Sequence, residues 1–91
     1  MIRHIVMWKL KDPADAVRFK DQLDSCTALV AGQRRFEVAI RTPAFDANCD
    51  VVLYSEFDDA AALAAYQNHH QQISAALGML RESRSVLDYE L

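Results

Sequence analysis

The sequence predicts a single α+β domain, and three observations predict it. Stretches with period-two apolar alternation and stretches with apolar residues three and four apart follow one another in the order strand, helix, strand, strand, helix, strand. The 91 residues match the length of one domain. Only two glycines and two prolines punctuate a chain that is 52% apolar, which is much apolar surface for so small a core.

Ile2 to Lys9 is the first predicted strand, with Ile2, His4, Val6 and Trp8 alternating against Arg3, Ile5, Met7 and Lys9. Both sets are partly apolar, so the strand is expected to be covered on two faces. Asp12-Pro13-Ala14-Asp15 reads as a helix start, with Asp12 as cap, Pro13 at the first position and Asp15 near the positive dipole end. Ala16, Phe19, Leu23, Cys26 and Val30 then trace one stripe of a helix of about five turns. Gly32 stands where a helix C-terminal glycine is expected. Arg34 to Arg41 is the second strand, residues 42–48 a loop, and Cys49 to Phe57 the third strand. The short connection makes strands two and three antiparallel neighbours.

Asp58 or Asp59 caps the second helix, whose alanines give it high intrinsic propensity. Leu63, Tyr66, His70, Ile73, Leu77 and Leu80 fall on one stripe, with His69 at its margin, and the helix is expected to run on past His69 unbroken. Ser83 to Leu91 is the last strand, with Val86, Leu87, Tyr89 and Leu91 available for burial. Two helical crossovers around one hairpin give a ferredoxin-like β-α-β-β-α-β fold, a four-stranded antiparallel sheet with both helices on one face. The other face then needs a second sheet, water or a ligand, and the doubly apolar strands argue against water. A homodimer is the expected partner arrangement.

The net charge of −3, with no basic block longer than Arg34-Arg35, gives no support for nucleic-acid binding. Cys26 and Cys49 lack metal or redox spacing and read as small buried apolar residues. No apolar run suits a signal peptide or a membrane span, so a cytoplasmic protein without membrane attachment is expected. The sequence has no phosphate loop, dinucleotide fingerprint or nucleophile elbow, and no cofactor or metal is predicted.

MIRHIVMWKLKD at the start, FDANCDVVLYSEFDDAAALAAYQNHHQQ in the middle and VLDYEL at the end resemble the stress-responsive alpha/beta-barrel domain family, Dabb, over nearly the whole chain. The resemblance implies a ferredoxin-like monomer that dimerises sheet to sheet into a β-barrel. It also points to polyketide cyclases of the olivetolic acid cyclase type, which close a linear chain by aldol condensation without a metal. Their motif Tyr-x-x-His-Pro-x-His is matched here by Tyr66 and His69, their last-strand aspartate by Asp88, and a pocket histidine by His4. His70 replaces the motif's proline, and Gln72 replaces the second histidine, which is the base. Glutamine cannot act as a general base near neutral pH.

His4, Tyr66, His69 and Asp88 are therefore the candidate catalytic residues, and Trp8, His70 and Gln72 the candidate ligand contacts. Each also has a plain structural reading: a core histidine, a packing tyrosine, an exposed helix turn, a sheet-edge charge. Adjacent helix positions point about 100° apart, so His69 and His70 do not converge on a metal. The arginines at 34, 35, 81 and 84 read as solvated. Three function classes follow: a small-ligand binding or structural dimer, a cofactor-free enzyme acting on a carbonyl compound, and a monooxygenase of the dimeric-barrel type.

Overall fold

A computed structural model describes residues 1–91, the side chain of Gln72 apart. The strands are β1 (Ile2–Leu10), β2 (Gln33–Ile40), β3 (Val51–Phe57) and β4 (Arg81–Glu90); the helices are α1 (Ala16–Asp24), α2 (Ala60–His69) and α3 (Gln71–Gly78). The strands form one antiparallel sheet in the order β2-β3-β1-β4, the ferredoxin-like arrangement. No helix among the described residues is long and apolar enough to cross a membrane.

Residues opposite one another on the ladder share a face, so register sorts the side chains. His4, Val6 and Trp8 face the helices together with Ser55, Leu53 and Val51 of β3 and Asp88, Val86 and Arg84 of β4. Phe19 and Leu23 of α1 and Leu77 of α3 close over Val6, Trp8 and Leu53, while Leu63 and Tyr66 of α2 pack on Phe57 and Cys26. Ile5, Met7, Val52, Tyr54 and Leu87 lie on the other face, where no helix covers them; Met7 is 42% and Leu87 62% exposed in the single chain.

Several expectations are corrected. The first helix is shorter than five turns. Asp12 does cap, accepting from the Ala14 amide at 3.0 Å, but Pro13–Asp15 is a separate 3-10 turn and α1 ends at Asp24. Ser25 and Thr27 hydroxyls donate back to the Gln22 and Asp24 carbonyls, and Ala28 takes the left-handed conformation at φ 66°. These local bonds compete with helix continuation, and Cys26 and Val30 are positioned by the turn beyond it. Gly32, also left-handed at φ 84°, does not end the helix; it leads into β2 where a Cβ would stand 2.9 Å from the Ala62 Cβ.

The second helix is not continuous. Asp59 caps it, accepting from the Ala62 amide at 2.8 Å, and it stops at His69. His70 has φ −100° and ψ 14°, its N–H still donating to the Tyr66 carbonyl at 3.1 Å and its own carbonyl accepting from Ser74 at 2.8 Å. Each bond ladder closes on its own side of His70, and the chain turns between them. β4 is also more exposed than expected: Val86, on the helix face, is 49% exposed at the sheet edge beyond α2 and α3, while Leu87 lies on the open face and Leu91 follows the strand.

Candidate functional site

The site is built around the end of β1 nearest α2. His4 is 2% exposed, and Ser55 of β3 fixes its backbone by donating a hydroxyl bond to its carbonyl at 2.8 Å. Asp88 stands opposite on β4 and its Oδ1 is hydrogen-bonded to His4 Nδ1. A carboxylate on one ring nitrogen fixes the orientation of the imidazole and leaves Nε2 as its second polar atom.

Tyr66 is fully buried in an aromatic surround, its ring 5.2 Å from Phe57, 5.7 Å from Phe36 and 6.3 Å from His4 between centroids. Its hydroxyl has no hydrogen-bond partner among the described residues, and burial pushes its pKa well above the usual tyrosine range. One turn on, His70 stacks on the Tyr66 ring at 4.5 Å and 17°. The stack follows from the four-residue spacing and from the turn of the chain at His70. His70 Nδ1 is likewise buried without a partner among the described residues. Burial first, then electrostatic interaction with His4 and Arg84, hold its pKa below the ordinary histidine value, so the neutral ring predominates at pH 7.

His4, Tyr66, His70 and Trp8 border one cavity of about 20 Å³ between the sheet and α2–α3, walled also by Val6, Leu53 and Leu77. The structure thus brings together His4, Tyr66, His70, Trp8 and, through His4, Asp88. His69 is exposed and turned to solvent. Gln72 is named as a ligand contact from the sequence, and its side chain lies outside the described residues. Arg81 and Arg84 also border the cavity, which the sequence reading left in solvent. For Arg84 the signal was present, since period-two alternation back from Asp88 puts it on the same face, opposite Trp8; Arg81 lies beyond the register shift at Lys9/Leu10 and outside that alternation.

The arrangement offers a protonated phenol as donor, a neutral imidazole beside it and an oriented histidine–aspartate pair. Among the described residues no three His, Cys, Asp or Glu side chains are grouped as a metal site.

Comparison with solved structures supports the same architecture. A dimeric protein of unknown function with a ferredoxin-like fold from Bacteroides fragilis is 28% identical, with TM-score 0.79 over 99% of this chain and 95% of that one. A dimeric ferredoxin-like protein of unknown function from Thermobifida fusca is 20% identical, with TM-score 0.87 over 99% of this chain and 90% of that one. A candidate antibiotic biosynthesis monooxygenase from Nitrosomonas europaea is 19% identical, with TM-score 0.77 over 100% of this chain and 98% of that one, a likeness of fold alone. No curated protein matches the chain. The model of the Stress responsive A/B Barrel Domain, Dabb, matches residues 2–91, and with its strand order and its uncovered sheet face the chain belongs to that family.

Proposed function

We propose that the protein is a homodimer that binds a small, largely apolar, carbonyl-containing compound in the cavity beneath α2 and α3. One observation carries the ligand reading: Tyr66 Oη and His70 Nδ1 are buried, have no partner among the described residues, and belong to side chains that border the same apolar-walled space. Buried polar groups are nearly always hydrogen-bonded, and an unmade bond costs about 1–3 kcal/mol. A ligand carbonyl oxygen accepting from Tyr66 Oη removes that penalty. The dimer is supported by the apolar sheet face and by the dimeric neighbours.

A cavity of about 20 Å³ has room for roughly one water. Ligand entry therefore requires α3 to move outward. Leu77 is the one fully buried residue among the described side chains of α3, so this helix has the weakest anchorage around the site.

A second reading, a cofactor-free enzyme acting on the same carbonyl compound, is favoured by the interruption at His70. The turn sets a neutral imidazole against the tyrosine, two residues before the position where the cyclases carry their base. His70 would take a proton from carbon beside the carbonyl while Tyr66 holds the developing enolate oxygen.

Titration calorimetry with ethyl benzoylacetate tests the first reading, and solvent deuterium exchange at its α-carbon tests the second. Wild type binds the ester, and Tyr66→Phe weakens binding by roughly two- to tenfold. If the protein is an enzyme, exchange exceeds the buffer rate and falls roughly 10²–10⁴-fold in His70→Ala. Absence of binding to wild type overturns the ligand reading. Binding with exchange no faster than buffer overturns the enzymatic one.

A further inference from the structure

We infer that the cavity takes its carbonyl ligand as a carboxylate anion, with the carboxylate held at the opening by the guanidinium groups of Arg81 and Arg84. This rests on the cavity being the ligand site. Both arginines are exposed at the start of β4 and both border the cavity that Tyr66 and His70 line. Arg84 faces it from the ladder position opposite Trp8. Arg81 folds back over the end of α3, its Nε 3.8 Å from where a Cβ on Gly78 would stand.

Charge and position together single these two out. Arg3, Lys9, Lys20, Arg34 and Arg35 each have a carboxylate partner. Among the described residues Lys11, Arg18, Arg41, Arg81 and Arg84 have none, in a chain whose 13 acidic residues outnumber its 10 basic ones, and of these five Arg81 and Arg84 are the two that border this cavity. The nearby acids are engaged elsewhere: Glu82 reaches Lys9 at 3.4 Å, and Asp88 is bonded to His4. Two cations without counter-charges thus border an opening whose interior holds a buried donor. The positive field reaches inward, since Arg84 contributes to holding His70 neutral. Guanidinium groups suit a carboxylate because their planar forks donate two parallel N–H bonds to its oxygens. A keto acid presents both halves of this pattern, a ketone oxygen to accept from Tyr66 and a terminal anion for the arginines.

Benzoylacetate and its ethyl ester share the aryl ketone and differ at that end, a carboxylate against a neutral ethyl ester, and titration calorimetry of both tests the inference. The free acid is expected to bind wild type roughly tenfold more tightly than the ester, and added salt should shrink the difference. In the Arg81→Gln/Arg84→Gln double variant the advantage should vanish, acid and ester then binding with equal affinity. Both side chains are exposed, so the variant keeps the fold, which circular dichroism checks. Equal affinity of acid and ester for wild type, or an advantage that survives in the double variant, overturns the inference and leaves the cavity reading standing. Failure of both compounds to bind overturns the cavity reading itself, and the anion inference with it.

Discussion

Tyr66 sets folding stability against binding. Its hydroxyl is buried and unpartnered, so removing it relieves a desolvation penalty in the empty protein. Tyr66→Phe should raise the free energy of unfolding by about 1 kcal/mol in urea titrations, while weakening the ligand. A purely structural tyrosine would show no such opposition. His70 adds a pH dependence whose sign follows from its surroundings. Its folded pKa lies below the ordinary 6.5, through burial first and then through His4 and Arg84. Below pH 6.5 the unfolded chain takes up a proton that the folded site resists. The contribution is complete above that pH and is lost as pH falls toward the folded value. His70→Phe keeps an aromatic ring for the stack and removes the titration. Between about pH 7.5 and about pH 5, wild type should lose more stability than this variant. An equal loss in the two proteins would show that His70 does not titrate differently on folding.

At the level of elements, local chemistry was legible and cross-chain chemistry was not. Asp12, Pro13 and Asp59 marked helix starts because capping needs only residues two or three positions away. The end of α1 escaped because the Ser25 and Thr27 back-bonds that end it are held in a turn by Gln33, whose side chain accepts from the Leu29 and Val30 amides and donates to the Cys26 carbonyl. The turn at His70 escaped because no proline or glycine signals it there; it coincides with an imidazole lying flat on Tyr66. Within the site, His4 and Asp88 were legible as separate candidates, yet only the β1–β4 register joins them. Choosing His69 over His70 as a catalytic candidate followed the family motif, and the helix phase presents His70 to the cavity instead. Gly32 gives the element scale its own prediction. A side chain there meets both a left-handed backbone and the Ala62 methyl at 2.9 Å. Gly32→Ala should lower stability by roughly 1–3 kcal/mol, read as a shift of the urea midpoint with an unchanged slope.

Across the whole molecule, the sheet face away from the helices is the feature still to be covered. Its centre is apolar, with Ile5, Met7, Val52 and Leu87, and one end is polar, where Tyr54 donates to Glu56 at 2.8 Å and Arg3 lies over Tyr89. An apolar centre with a polar margin is the usual anatomy of a protein interface. Light scattering should therefore give twice the monomer mass. Register separates two neighbouring residues of β3 for a test: Val52 is on the open face and Leu53 in the core. Val52→Asp should yield monomers, folded or partly unfolded, because an unpaired charge in an interface is costly. Leu53→Asp should fail to fold under all conditions. A Val52→Asp protein that remains a full dimer would remove the open face from consideration.

The placement of Trp8 has an optical consequence. It is the single tryptophan of the chain, it is buried edge-on to Phe19 at 5.1 Å, and it borders the cavity. Intrinsic fluorescence of the unlabelled protein therefore comes from one indole whose environment changes for two different reasons. Unfolding moves it from an apolar core to water, shifting emission to longer wavelength. A compound entering the cavity changes its intensity and leaves the wavelength near its buried value. The chain carries its own probe for telling occupancy from denaturation.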